Sequence, residues 1–131
     1  MTAPAKQTVG EIMSTPVLTI ELSDSLWDAW QMLSVSGLRH LVVLGRDGEC
    51  LGTISDRQIL AEIPTTADHL GSLHISDRIS HVSEIAISPE HTPQQAATLM
   101  REHDIEAFPV CTKDGKIVGI LTQTDLVKWI S

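Results

Sequence analysis

Residues 37–60, GLRHLVVLGRDGECLGTISDRQIL, and residues 104–127, DIEAFPVCTKDGKIVGILTQTDLV, are one pattern written twice. Each opens on an apolar run (HLVVL; FPVCT), passes an Asp-Gly pair (Asp47-Gly48; Asp114-Gly115) and enters a second apolar run (CLGTI; KIVGIL). Asp-Gly between two such runs is a strong short-range signal for a β-hairpin. Each run then ends on a hydroxyl, Ser55 or Thr122, with Gln58 or Asp125 three residues later. That spacing matches a capping box and marks the start of a helix.

Outward from this core, an offset of 67 residues aligns the two halves without a gap. Ile12 meets Ile79, Ile20 meets Ile87, Ala29 meets Ala96 and Gly52 meets Gly119. Each half begins with a short helical segment (TVGEIM; ISDRIS) and a short strand (PVLTI; EIAIS). A helix follows. In the first half Ser23 or Asp24 is its cap, and Leu26, Ala29, Trp30 and Leu33 fall on one face. In the second half Thr92 caps and Pro93 takes the first helical position, where its missing N–H costs nothing. The repeating unit is β-α-β-β-α around a small mixed sheet, an α/β architecture of the α+β type. The first domain spans 8–62 and the second 75–131. Residues 63–74, rich in Pro, Gly, Thr and Ser, read as a linker.

Composition removes several functions. Seventeen acidic against nine basic residues give a net charge of −8, which repels phosphate backbones and argues against nucleic acid as a partner. No apolar run approaches the roughly 20 residues of a membrane span, and MTAPAKQT lacks the apolar region of a secretory signal, so the expected location is cytoplasmic. Six histidines show no HxH or HExxH spacing, and no metal site is expected. Cys50 and Cys111 read as two buried apolar thiols. There is no Walker loop, no GxSxG and no other catalytic spacing, so the chain is not expected to be an enzyme.

The two quoted stretches resemble the second half of a CBS (cystathionine-β-synthase-type) domain, and the likeness extends over residues 8–131. The resemblance implies two domains packed through their sheets with pseudo-twofold symmetry. It implies adenosine-containing ligands (AMP, ADP, ATP or S-adenosylmethionine) in the clefts between them, and homodimers of such pairs. No cofactor is obligatory in that reading.

The most informative motif is Gly119-Ile-Leu-Thr122-Gln-Thr-Asp125, similar to the family's G-h-h-T/S-x-x-D. Two readings of it stand. Thr122 and Asp125 can be a capping box that satisfies backbone donors. They can also hold a nucleotide, with phosphate at the helix start and a ribose diol on the Asp125 carboxylate, as the resemblance implies. By position in similar domains, Ser80, Ile85, Ile105 and Ala107 line the base pocket, although Ile85 and Ile105 are equally readable as core. Arg39 and His40, from the first repeat, are placed to reach a phosphate bound in the second; Arg39 is equally readable as a solvated surface charge. The first repeat departs from the pattern. Gln58 replaces the carboxylate, so Leu18, Leu38, Ser55 and Gln58 form a weaker site at best. Trp27 lies off the apolar stripe of its helix and reads as an interface residue. Two functions remain: a regulatory sensor of an adenosine-containing ligand acting on an unknown effector protein in trans, or a ligand-independent dimerisation module.

Overall fold

The structure, a computed structural model, describes residues 7–61, 74–78 and 86–131. Along the chain lie α1 (Val9–Ile12), β1 (Thr19–Glu21), α2 (Leu26–Ser36), β2 (His40–Leu44), β3 (Cys50–Ser55) and α3 (Asp56–Ala61). They are followed by α4 (Ile75–Arg78), α5 (Pro93–His103), β4 (Ala107–Cys111), β5 (Ile117–Thr122) and α6 (Gln123–Ile130). The chain divides into two compact units, one of residues 18–84 and one of residues 1–17 with 85–131. Each repeat's leading helix therefore belongs to the unit of the other repeat.

In the unit of residues 18–84 the strand order is β1-β2-β3, with β1 parallel to β2 and β2 antiparallel to β3. Leu26, Ala29 and Leu33 are buried on α2, as the periodicity predicts, and they meet Ile20, Leu41, Val43, Ile54 and Ile59. Ile75, at the start of α4, completes this core. The cap of α2 is neither Ser23 nor Asp24 but Ser25, whose Oγ accepts the Asp28 N–H at 3.0 Å. Asp24 instead closes the preceding turn by accepting the Glu21 N–H at 2.9 Å. The predicted first strand starts later and is shorter than PVLTI, because only Thr19–Glu21 pairs with β2.

The other unit has the same plan. β4 and β5 form an antiparallel hairpin, and Ile87 makes a parallel bridge to Val110. The rest of the EIAIS strand up to residue 85 and the linker segment 62–73 lie outside the described residues. Thr92 and Pro93 open α5 as expected, with a complete capping box between Thr92 and Gln95. Ala96, Met100, Phe108, Val110, Leu121 and Leu126 form the core, and Val9 of α1 is buried among them. Both hairpins turn through three-residue loops. The Gly48 N–H donates to Gly45 O and the Gly115 N–H to Thr112 O, and the two loop glycines have φ of 80° and 81°. The Asp-Gly signal thus marks a three-residue loop closed by a left-handed glycine, not a two-residue turn.

The leading helices also show where the gapless register slips. The Val9 N–H donates to His91 O and the Gly10 N–H to Pro89 O. The Ile75 N–H donates to Asp24 O and the Ser76 N–H to Leu22 O. Val9 and Ile75, both fully buried, are therefore equivalent at an offset of 66, one less than the rest of the repeat.

Candidate functional site

The β4–β5 register sets the geometry of the second-repeat motif. Ala107 lies opposite Thr122, and the Gln123 N–H donates to Glu106 O at 3.0 Å, so the start of β4 and the start of α6 meet at one end of the hairpin. Ala107 is buried, and Ile105 is half-buried against the core. Thr122 is the N-cap of α6: its Oγ1 accepts the Asp125 N–H at 3.4 Å. Asp125, only 7% exposed, returns the bond. Its Oδ2 accepts the Thr122 N–H at 3.0 Å and the Thr122 hydroxyl at 3.2 Å. The capping reading of this motif is therefore realised in full.

The second carboxylate oxygen reaches a residue that lies outside the motif. Asp125 Oδ1 accepts the Ser14 hydroxyl at 2.8 Å, across 111 positions of sequence. Ser14 is exposed and lies in the turn after α1. Its backbone is pinned independently of its side chain, because the Ser14 N–H donates to Ile120 O at 2.8 Å and the Ile120 N–H to Ser14 O at 3.1 Å. Gly119 explains how this turn comes so near β5. A Cβ at residue 119 would collide with Sδ and Cγ of Met13. The motif glycine thus admits Met13, which brings Ser14 to the carboxylate. One sequence signal could have pointed to Ser14. At the offset of 66 that the leading helices obey, it is the counterpart of Ser80, already a candidate.

In the first repeat the same positions close locally. The Ser55 N–H donates to Gln58 Oε1 at 2.8 Å and the Gln58 N–H to Ser55 Oγ at 3.1 Å, so glutamine completes the capping box as expected. Ser55 is buried and Gln58 exposed. His40, half-buried, lies opposite Ser55. Arg39 is 69% exposed on its side chain and its Nε lies 3.5 Å from Asp56 Oδ2; its carbonyl accepts the Asp56 N–H at 3.0 Å. Arg39 thus has an acidic partner within its own unit. Leu18 packs against the core and its carbonyl accepts the Val42 N–H, whereas Leu38 is on the surface.

Of the candidates, then, the structure brings Ala107, Thr122 and Asp125 together, with Ile105 beside them, and gathers Arg39, His40, Ser55 and Gln58 at the matching place in the other unit. Ser80 and Ile85 lie outside the described residues. Among the described residues no three His, Cys, Asp or Glu side chains cluster as metal ligands would, and no helix is long and apolar enough to cross a membrane.

Two copies of a sheet-and-helix unit, each ending in a hydroxyl-capped helix after a hairpin, are the build of a CBS-domain pair. The CBS domain family matches residues 9–65 and 75–131, and the chain belongs to it. A CBS domain-containing protein of Dictyostelium discoideum is 29% identical over 130 residues, covering 93% of this chain and 90% of that protein. A homoserine O-acetyltransferase of Methanosalsum zhilinae is 28% identical over 123 residues, and there the chain spans only 24% of the relative's length. The crystal structure of CBSX2 in complex with AMP superposes with a TM-score of 0.75 at 26% identity, covering 93% of this chain and 94% of that one.

Proposed function

We propose that this CBS-domain pair is a regulatory module that senses an adenosine-containing ligand (AMP, ADP, ATP or S-adenosylmethionine) through the second repeat and acts on an effector protein in trans. In this reading it has no catalytic activity of its own, works in the cytoplasm as a homodimer, and engages neither nucleic acid nor membrane. The observation that carries the proposal is the asymmetry between the two motifs. Asp125 presents a carboxylate with one oxygen, Oδ1, outside the capping box, whereas the exposed Gln58 offers one carbonyl, already given to the Ser55 N–H. A ribose diol supplies two donors, and a carboxylate can accept both. The AMP complex of CBSX2, alike over almost the whole chain, supports the ligand class.

The test is a thermal-shift and calorimetric screen with AMP, ADP, ATP and S-adenosylmethionine. A ligand at about a hundred times its Kd should stabilise the fold by about 2.7 kcal/mol. Asp125→Asn should abolish the shift, while Gln58→Asp should leave it or add a second site. Two equal sites per chain, or a shift untouched by Asp125→Asn, would refute the assignment. A second reading is favoured by the closure of both motifs as capping boxes and by Trp27, Val35 and Leu38 lying exposed on and just after α2. In it the pair is a dimerisation module without a ligand. A dimer that shows no shift with any of the four compounds would decide for it.

A further inference from the structure

We infer that the Ser14 hydroxyl holds the ribose position on the Asp125 carboxylate, so that a ligand must displace it before it can bind. The inference rests on the ligand reading proposed above. It follows from counting lone pairs.

A carboxylate has about four acceptor positions. Asp125 already receives three donors: the Thr122 N–H and hydroxyl on Oδ2, and the Ser14 hydroxyl on Oδ1. One position is left, and a vicinal diol brings two donors. One resident donor must therefore leave. The two on Oδ2 belong to the cap of α6, three residues away along the chain, and the Thr122 hydroxyl oxygen also holds the Asp125 amide. The Ser14 hydroxyl is different. Ser14 is exposed, and two backbone hydrogen bonds to Ile120 hold its turn in place whatever its side chain does. A single rotation about χ1 removes the hydroxyl from Oδ1 and leaves the fold intact. Ser14 is thus a positioning residue. It keeps the nearly buried carboxylate satisfied when no ligand is present, and it sets the affinity by competing for the same oxygen.

This inverts the usual expectation for a polar residue at a binding site. Removing the Ser14 hydroxyl should tighten binding. The experiment is isothermal titration of the full chain with AMP, ATP and S-adenosylmethionine, comparing wild type, Ser14→Ala and Ser14→Thr. Ser14→Ala should bind the ligand about tenfold more tightly, the lower end of what one removed hydrogen bond to a charged acceptor is worth. Ser14→Thr, which keeps a hydroxyl, should restore wild-type affinity. Melting of each ligand-free variant gives a readout that does not depend on binding: Ser14→Ala should melt below wild type and Ser14→Thr close to it. A residue with only a structural role would lower stability and leave affinity unchanged or weaker. Wild type that binds, with Ser14→Ala equal or weaker, overturns the competition alone. Wild type that binds none of the three compounds overturns the ligand reading and this inference together.

Discussion

Asp125 and Gln58 hold the same place in the two repeats, so replacing each by alanine compares one position in two hydrogen-bonding settings. Gln58→Ala removes the acceptor for the Ser55 N–H but leaves Ser55 Oγ to accept the amide of residue 58. Half a capping box is worth about 0.5–1 kcal/mol. Asp125→Ala loses the same local term, with the Thr122 hydroxyl left to find a new acceptor. It also loses the Ser14 bond, which ties the turn after α1 to α6 across 111 positions. Hydrogen bonds to an ionised acceptor contribute about 1.5–3 kcal/mol, and the exposure of Ser14 places this one at the bottom of that range. The expected cost of Asp125→Ala is therefore about 2–3 kcal/mol, against about 1 kcal/mol or less for Gln58→Ala. For a chain of this size each kcal/mol lowers the melting temperature by roughly 3–5 °C. Urea denaturation and calorimetry of the ligand-free chain would separate the two. A cycle with Ser14→Ala should show about 1.5 kcal/mol of coupling to Asp125 and none to Gln58. Equal losses from the two alanine variants, or no coupling between Ser14 and Asp125, would refute the reasoning.

Gly119→Ala should destabilise the chain by about 1–3 kcal/mol because the new methyl meets Met13, and Met13→Ala in the same chain should recover part of the loss; a neutral Gly119→Ala by urea denaturation would contradict the packing. Asp104 ends α5 with φ of 53°, at the place where Gly37 ends α2 with φ of 74°. Asp104→Gly should therefore raise stability by about 0.5 kcal/mol in urea denaturation, and a loss would show that the aspartate side chain contributes something at that position. For the proposed homodimer, light scattering should give about twice 14.3 kDa, and Trp27→Ala, which removes a 43% exposed ring and leaves the buried stripe intact, should shift the equilibrium toward monomer without lowering helical content. A wild-type monomer at tens of micromolar would remove the basis for that expectation.

Much of the local structure was legible in the sequence because it rests on short-range chemistry. Thr92-Pro93 opens α5, the Leu26/Ala29/Leu33 face is buried, and Ser55 and Thr122 open helices through capping boxes, all within four residues of the signal. What escaped depends on distant partners. PVLTI has the composition of a longer strand, but β2 pairs with only three of the residues around it. Nothing in the periodicity of TVGEIM says that Val9 is buried with Phe108 and Leu126, or that Met13 rests on Gly119. The Ser14–Asp125 bond depends on that exchange, and so no short-range pattern marks the residue with the shortest hydrogen bond to the candidate carboxylate. The gapless alignment concealed it further, since the one-residue slip between the leading helices makes Ser80, not His81, the counterpart of Ser14.

The crossing-over of the leading helices has a consequence for cutting the gene. A fragment ending between the repeats would carry α1, whose buried Val9 belongs to the second core, and would lack α4, whose Ile75 belongs to its own. The second fragment would have the reverse defect. Each half would thus hold the piece that the other is missing. Expressed apart, the halves should be poor folders; mixed, they should restore each other by reciprocal exchange of one helical turn apiece. Duplication of an ancestral half-length chain would meet the same requirement, satisfied at first by two identical copies trading helices and afterwards by one polypeptide.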